Sequence, residues 1–68
     1  MPKPSCVLAW SEEVSDGELG HYVSLGDSEG EPIGHVWLHD TPRSADRHMM
    51  RLAKLHRAEP VSDLIWYP

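Results

Sequence analysis

TPRSADRHMMRLAKLHRAEP, residues 41–60, holds five of the six lysines and arginines of a 68-residue chain whose net charge is −5. Both ends of the stretch carry helix-boundary chemistry. Thr41 offers a hydroxyl to cap a first turn, and Pro42 brings a preset φ and no N–H to leave unpaired. Pro60 disfavours helical geometry at Glu59 and so ends the segment. Between them Ala45, Met49, Leu52 and His56 recur at spacings of four, three and four, flanked by His48, Ala53 and Leu55, which is one apolar stripe. Arg43, Arg47, Arg51, Lys54 and Arg57 project on the opposite side, with Met50 among them. The stretch predicts a single amphipathic helix over 43–57 with a buried stripe and a basic outer face.

Working outward, CVLAW (6–10) reads as a buried strand and SEEVSDGELG (11–20) as a polar loop or wide turn, tightest at Asp16-Gly17. HYVSL (21–25) and GHVWLHD (34–40) alternate and pair most simply as an antiparallel hairpin across the loop GDSEGEPIG (26–34). LIWY (64–67) reads as a terminal strand. The order β-β-β-α-β predicts an α+β fold: an antiparallel sheet of about four strands with one amphipathic helix packed on one face. Residues 1–68 are read as one small domain, since a chain this short buries a modest fraction of its surface. Three Trp and two Tyr, each able to bury about 150 to 250 Å², offset the absence of Phe.

Several classes are excluded at the level of composition. A single cysteine, Cys6, forms no intrachain disulfide, which removes the secreted disulfide-scaffold class. The opening MPKPSCVLAW is too weakly charged and apolar for a signal peptide, and no apolar run approaches the roughly 18 residues of a membrane span. The expectation is a cytoplasmic protein with no membrane contact.

Charge is strongly segregated. Residues 1–42 carry Lys3 against eight acids, a balance of −7; residues 43–68 carry five bases against Asp46, Glu59 and Asp63, a balance of +2. Basic residues on an outer helix face are ordinary. Their placement is less so: Arg43 and Arg47 sit near the N-terminal end, where the helix dipole disfavours cations, and Arg43, Arg47 and Arg51 repeat at four-residue steps. Each like-charge step costs a few tenths of a kcal/mol. The acids of 12–18 and 27–31 would offset that repulsion if the fold brought them alongside. Otherwise an external partner does so, either a protein with an acidic patch or, as the alternative, a nucleic acid met by the basic face. Net charge of −5 and the lack of a helix-turn-helix pattern weigh against nucleic acid. The eight acids of residues 12–40 also allow imitation of DNA charge in a basic groove.

Five histidines raise a metal question. A hairpin register pairing Leu25 with His35 sets His21 opposite His39, and with Asp40 or Cys6 such a pair could hold zinc. A register shifted by one residue instead matches Val23 and Leu25 with Val36 and Leu38 on one apolar face, and burial favours it. That register breaks the cluster, so neither metal nor cofactor is expected. It also places Tyr22 and Trp37 together on the far face as exposed anchors for a partner. Cys6 within an apolar run reads as an inert thiol, and no phosphate loop or nucleophile elbow is present, so an enzyme is not expected. The expected function is a non-enzymatic protein-interaction module, a stoichiometric regulator or inhibitor of the kind phages and mobile elements carry, in which a second copy is one partner to consider.

Overall fold

The computed structural model describes residues 3–66. Strands β1 (Cys6–Ser15), β2 (Glu18–Gly26) and β3 (Pro32–His39) are followed by helix α1 (Pro42–His56) and strand β4 (Glu59–Asp63). The architecture is α+β, one four-stranded sheet of order β3-β2-β1-β4 with α1 packed against it.

The sheet is mixed, where sequence alternation predicts an antiparallel one. β1 and β2, and β2 and β3, pair antiparallel, but β4 runs parallel to β1, from Cys6↔Glu59 to Trp10↔Asp63. The helix causes this. A 15-residue helix is about 22 Å long at about 1.5 Å per residue, close to the length of β3, so it returns the chain to the level where β3 began. The next strand must then run in the same direction as β3 and β1.

The last strand also lies earlier than LIWY. Glu59–Asp63 form β4, whereas 64–66 are not strand, and Tyr67 lies outside the described residues. Pro60 is tolerated because β4 is an edge strand, where a missing N–H need break no ladder bond. Leu64 instead packs against the core, and the Ile65 N–H donates to Ser11 Oγ at 2.8 Å.

SEEVSDGELG is largely strand rather than loop. β1 and β2 extend through it in the register Ser11↔His21 to Glu13↔Leu19, and only Asp16 and Gly17 turn, with Gly17 at φ 76°. The Asp27–Glu31 loop is closed by its own carboxylate: Asp27 Oδ1 accepts from the Glu29 and Glu31 N–H groups, both at 2.9 Å.

Helix α1 matches its boundary chemistry. Thr41 Oγ1 accepts from the Ser44 N–H at 3.1 Å. At the other end Arg57 adopts φ 52°, the left-handed conformation usually given to glycine, and the Ala58 N–H closes the helix on the Ala53 carbonyl at 2.9 Å. Ala45, Met49 and Ala53 are buried and meet Val7, Ala9 and Val23. Leu52 is half-buried against this core, but Leu55 is exposed and stands outside the stripe.

Candidate functional site

The register of β2 against β3 decides what each face offers. His21 pairs with His39, Tyr22 with Leu38, Val23 with Trp37 and Ser24 with Val36; the register then jumps to Leu25↔Ile33. β3 holds two extra residues at the jump, with Gly34 at φ 75° supplying the conformation that a bulge needs. The shifted register expected from burial does not occur. Trp37, not Val36 or Leu38, lies beneath the helix beside Val23. Pairing with Val23 sets Trp37 on the helix side, alternation running unbroken from Ile33 opposite Leu25 to Val36 opposite Ser24, and the indole offers more apolar area for burial there than either Val36 or Leu38 alone.

Tyr22 and Trp37 therefore point to opposite faces, which corrects their expected pairing as exposed anchors. Trp37 is half-buried and meets the rings of His35 and His48, each at a centroid distance of 4.9 Å. Tyr22 lies on the face without a helix and stacks on Trp10 at 5.6 Å.

That second face is apolar and uncovered. Strand alternation sets Leu8, Trp10, Tyr22, Val36, Leu38 and Val61 on it, with Leu38 61% exposed. Two glycines let these side chains lie flat. A Cβ on Gly20 would meet Val14 Cγ1 at 2.7 Å and Leu38 Cδ1 at 2.9 Å, and one on Gly26 would meet Cys6 Sγ at 2.6 Å. A groove of about 480 Å³ lined by Cys6, Leu8, Trp10, Pro32 and Val61 runs along the face. Acids frame it: Glu12, Glu18, Glu59 and Asp63 fall on this side by alternation, and Glu29 and Glu31 project from the exposed loop beside it. Cys6 lies under the loop, its thiol pushed up first by burial and then by the carboxylates of Asp27 and Glu59, so it is an inert core residue.

The helix side has the opposite sign. Arg43, Arg47, Arg51, Lys54 and Arg57 are all exposed. Among the described residues no contact ion pair joins an arginine or lysine to a carboxylate. Between α1 and the end of β3 lies a cleft of about 420 Å³ into which Arg43, Arg47 and Arg51 open, together with His39, Ser44 and His48. Ser44 Oγ is 2.7 Å from His39 Nδ1, and His39 Nε2 is 2.8 Å from His48 Nδ1. Burial lowers the His48 pKa, and His39 and Arg51 lower it further.

The zinc arrangement is not assembled. His21 does face His39 across the ladder, but its Nδ1 is bonded to Ser11 Oγ at 2.7 Å and His39 is engaged by Ser44 and His48. Among the described residues no group of three or more His, Cys, Asp or Glu is placed to hold a metal ion. Nor, among them, is any helix long and apolar enough to cross a membrane.

The helix sequence located the arginines but not His39, Ser44 and His48 as their neighbours. Gly34 was the available signal for the bulge, but two extra residues leave the alternation unchanged, and the face of Leu38 follows from its pairing with Tyr22. The chain matches no protein-family description, no curated protein and no solved structure.

Proposed function

We propose that this protein acts without catalysis, by docking another protein onto its uncovered sheet face, as a stoichiometric regulator or inhibitor in the cytoplasm. The observation that carries this reading is an apolar strip with an acidic frame on the face opposite the helix. Helix α1 already buries one side of the sheet, so the other remains an apolar surface available to a partner.

Charge selects the partner's chemistry. A partner with an apolar centre and a lysine- or arginine-rich rim matches the strip and its frame. A symmetric pair of identical chains would bring the same patch together twice, setting Glu12, Glu59 and Asp63 of one copy against the acids of the other. A homodimer through this face is therefore disfavoured. The acidic frame presents charge of the same sign as a nucleic-acid backbone, which favours proteins with basic nucleic-acid-binding grooves as partners. A buried free cysteine suits a reducing compartment.

The exposed basic face, free of contact ion pairs among the described residues, supports a second reading, a nucleic acid bound through Arg43, Arg47, Arg51, Lys54 and Arg57. Paired variants separate the two. If the sheet face docks the partner, Leu38→Asp abolishes co-purification of a host component while Arg47→Gln leaves it intact. Equal retention by Leu38→Asp and wild type rejects the docking face.

A further inference from the structure

The cleft beside α1 lies on the other side of the sheet from the proposed docking face and has a chemistry of its own. Three guanidinium groups open into one concavity of about 420 Å³, and no carboxylate lines it. Arg43, Arg47 and Arg51 are successive four-residue neighbours, each step rising about 6 Å along the axis, so they repel one another locally, and no contact ion pair among the described residues relieves them. A helix selected for stability alone would carry glutamate at one of these positions. An anion lodged in the cleft removes the repulsion and gives the three cations a common counter-charge.

The remaining lining is made of donors already held in place. The chain Ser44 Oγ to His39 Nδ1 at 2.7 Å, then His39 Nε2 to His48 Nδ1 at 2.8 Å, fixes both imidazoles. Trp37 braces His48 edge-on at 4.9 Å, which limits ring rotation. When Ser44 donates to His39 and His39 to His48, the second nitrogen of His48 carries the remaining proton. The cleft thus combines three planar forks with an imidazole donor, a set suited to a terminal group with three free oxygens.

We infer that this cleft binds the phosphate group of a phosphomonoester, gripped by Arg43, Arg47 and Arg51, with the free N–H of His48, oriented by the Ser44–His39 chain, as a further donor. A phosphodiester backbone fits less well. It offers two free oxygens per phosphate, and a duplex long enough to reach Lys54 and Arg57 also approaches a chain of net charge −5. Protonation reinforces the monoester reading. His48 faces His39 and Trp37 on β3, with His35 beyond Trp37, and Arg47 and Arg51 on its own helix. A dianion stabilises the charged imidazole that these neighbours disfavour.

The test follows the imidazole ring signals of His39 and His48 by NMR while inorganic phosphate or sulfate is added to the intact protein. Saturable shifts are expected, weakened tenfold or more in Arg47→Gln and unchanged in Lys54→Gln, whose side chain lies outside the cleft. Sulfate, which keeps its charge throughout, is expected to bind several-fold more tightly near about pH 5.5 than near about pH 8, because His48 takes up a proton as it binds. A nucleoside monophosphate and O-phosphoserine form two further arms, and tighter binding of either than of inorganic phosphate identifies the source of the group. Linear, unsaturated shifts that Lys54→Gln reduces as much as Arg47→Gln would mean general screening and overturn the site. So would a short DNA duplex that outcompetes every monoester and depends equally on Lys54 and Arg47. Neither result bears on the sheet face, since none of its side chains lines the cleft.

Discussion

His39 Nε2 lies 2.8 Å from His48 Nδ1, a hydrogen bond that ties the last residue of β3 to the middle of α1. It closes the hairpin edge onto the helix, and it requires at least one of the two facing nitrogens to be unprotonated. His48 is held below its ordinary value of 6.5, first by burial, then by His39 and Arg51. The folded state therefore binds a proton at His48 less readily than the unfolded chain does. The stability this contributes is complete above the unfolded value and is lost as pH falls through the lower folded one.

The melting temperature is accordingly expected to drop on acidification from about pH 8 to about pH 5.5, with His48→Gln flattening that dependence. Differential scanning calorimetry across the range checks it. An unaltered slope in His48→Gln would assign the acid sensitivity to other groups.

Gly20 and Gly26 are both buried, beneath side chains that lie flat over the open sheet face. Gly26→Ala places a methyl 2.6 Å from Cys6 Sγ, a buried atom with little room to yield. Overpacking of this kind costs about 1 to 3 kcal/mol, which urea denaturation would register as a lower midpoint. A Cβ at Gly17 would meet nothing within 4 Å, so Gly17→Ala loses stability only through its φ of 76°.

Met49 and Met50 are adjacent in sequence and opposite in environment, 2% and 51% exposed. Met49→Ala opens a cavity between α1 and the sheet and is expected to cost about 2 to 5 kcal/mol, enough to unfold much of a chain this small. Met50→Ala should stay within about 0.5 kcal/mol of wild type. Circular dichroism during thermal melting distinguishes the two, and similar effects at both positions would contradict the orientation of the helix.

Arg57 adopts a left-handed backbone, φ 52° and ψ 43°, that glycine adopts without penalty. Arg57→Gly is expected to raise stability by up to about 1 kcal/mol, since relief of strain exceeds the added freedom of the unfolded chain. Thr41→Ala at the other end removes the hydroxyl that accepts from the Ser44 N–H and should cost about 1 kcal/mol. Chemical denaturation of the two variants should move in opposite directions.

The sequence by itself determined the helix, its boundaries and its sidedness, because Thr41, Pro42, Pro60 and the four-three-four spacing act within a few turns of one segment. It also determined that strands precede and follow that helix, and that positive charge collects on its outer side. Tertiary structure decided the rest. The direction of β4 depends on where a 15-residue rod sets the chain down, and the face taken by Trp37, Val36 and Leu38 depends on their cross-strand pairing with Val23, Ser24 and Tyr22, which a one-residue slip would reverse. The meeting of His39, Ser44 and His48 with the arginines depends on the angle at which the end of β3 enters α1. Local periodicity fixes which residues share a face. Which face is covered is settled by volumes and chain lengths summed across the whole molecule.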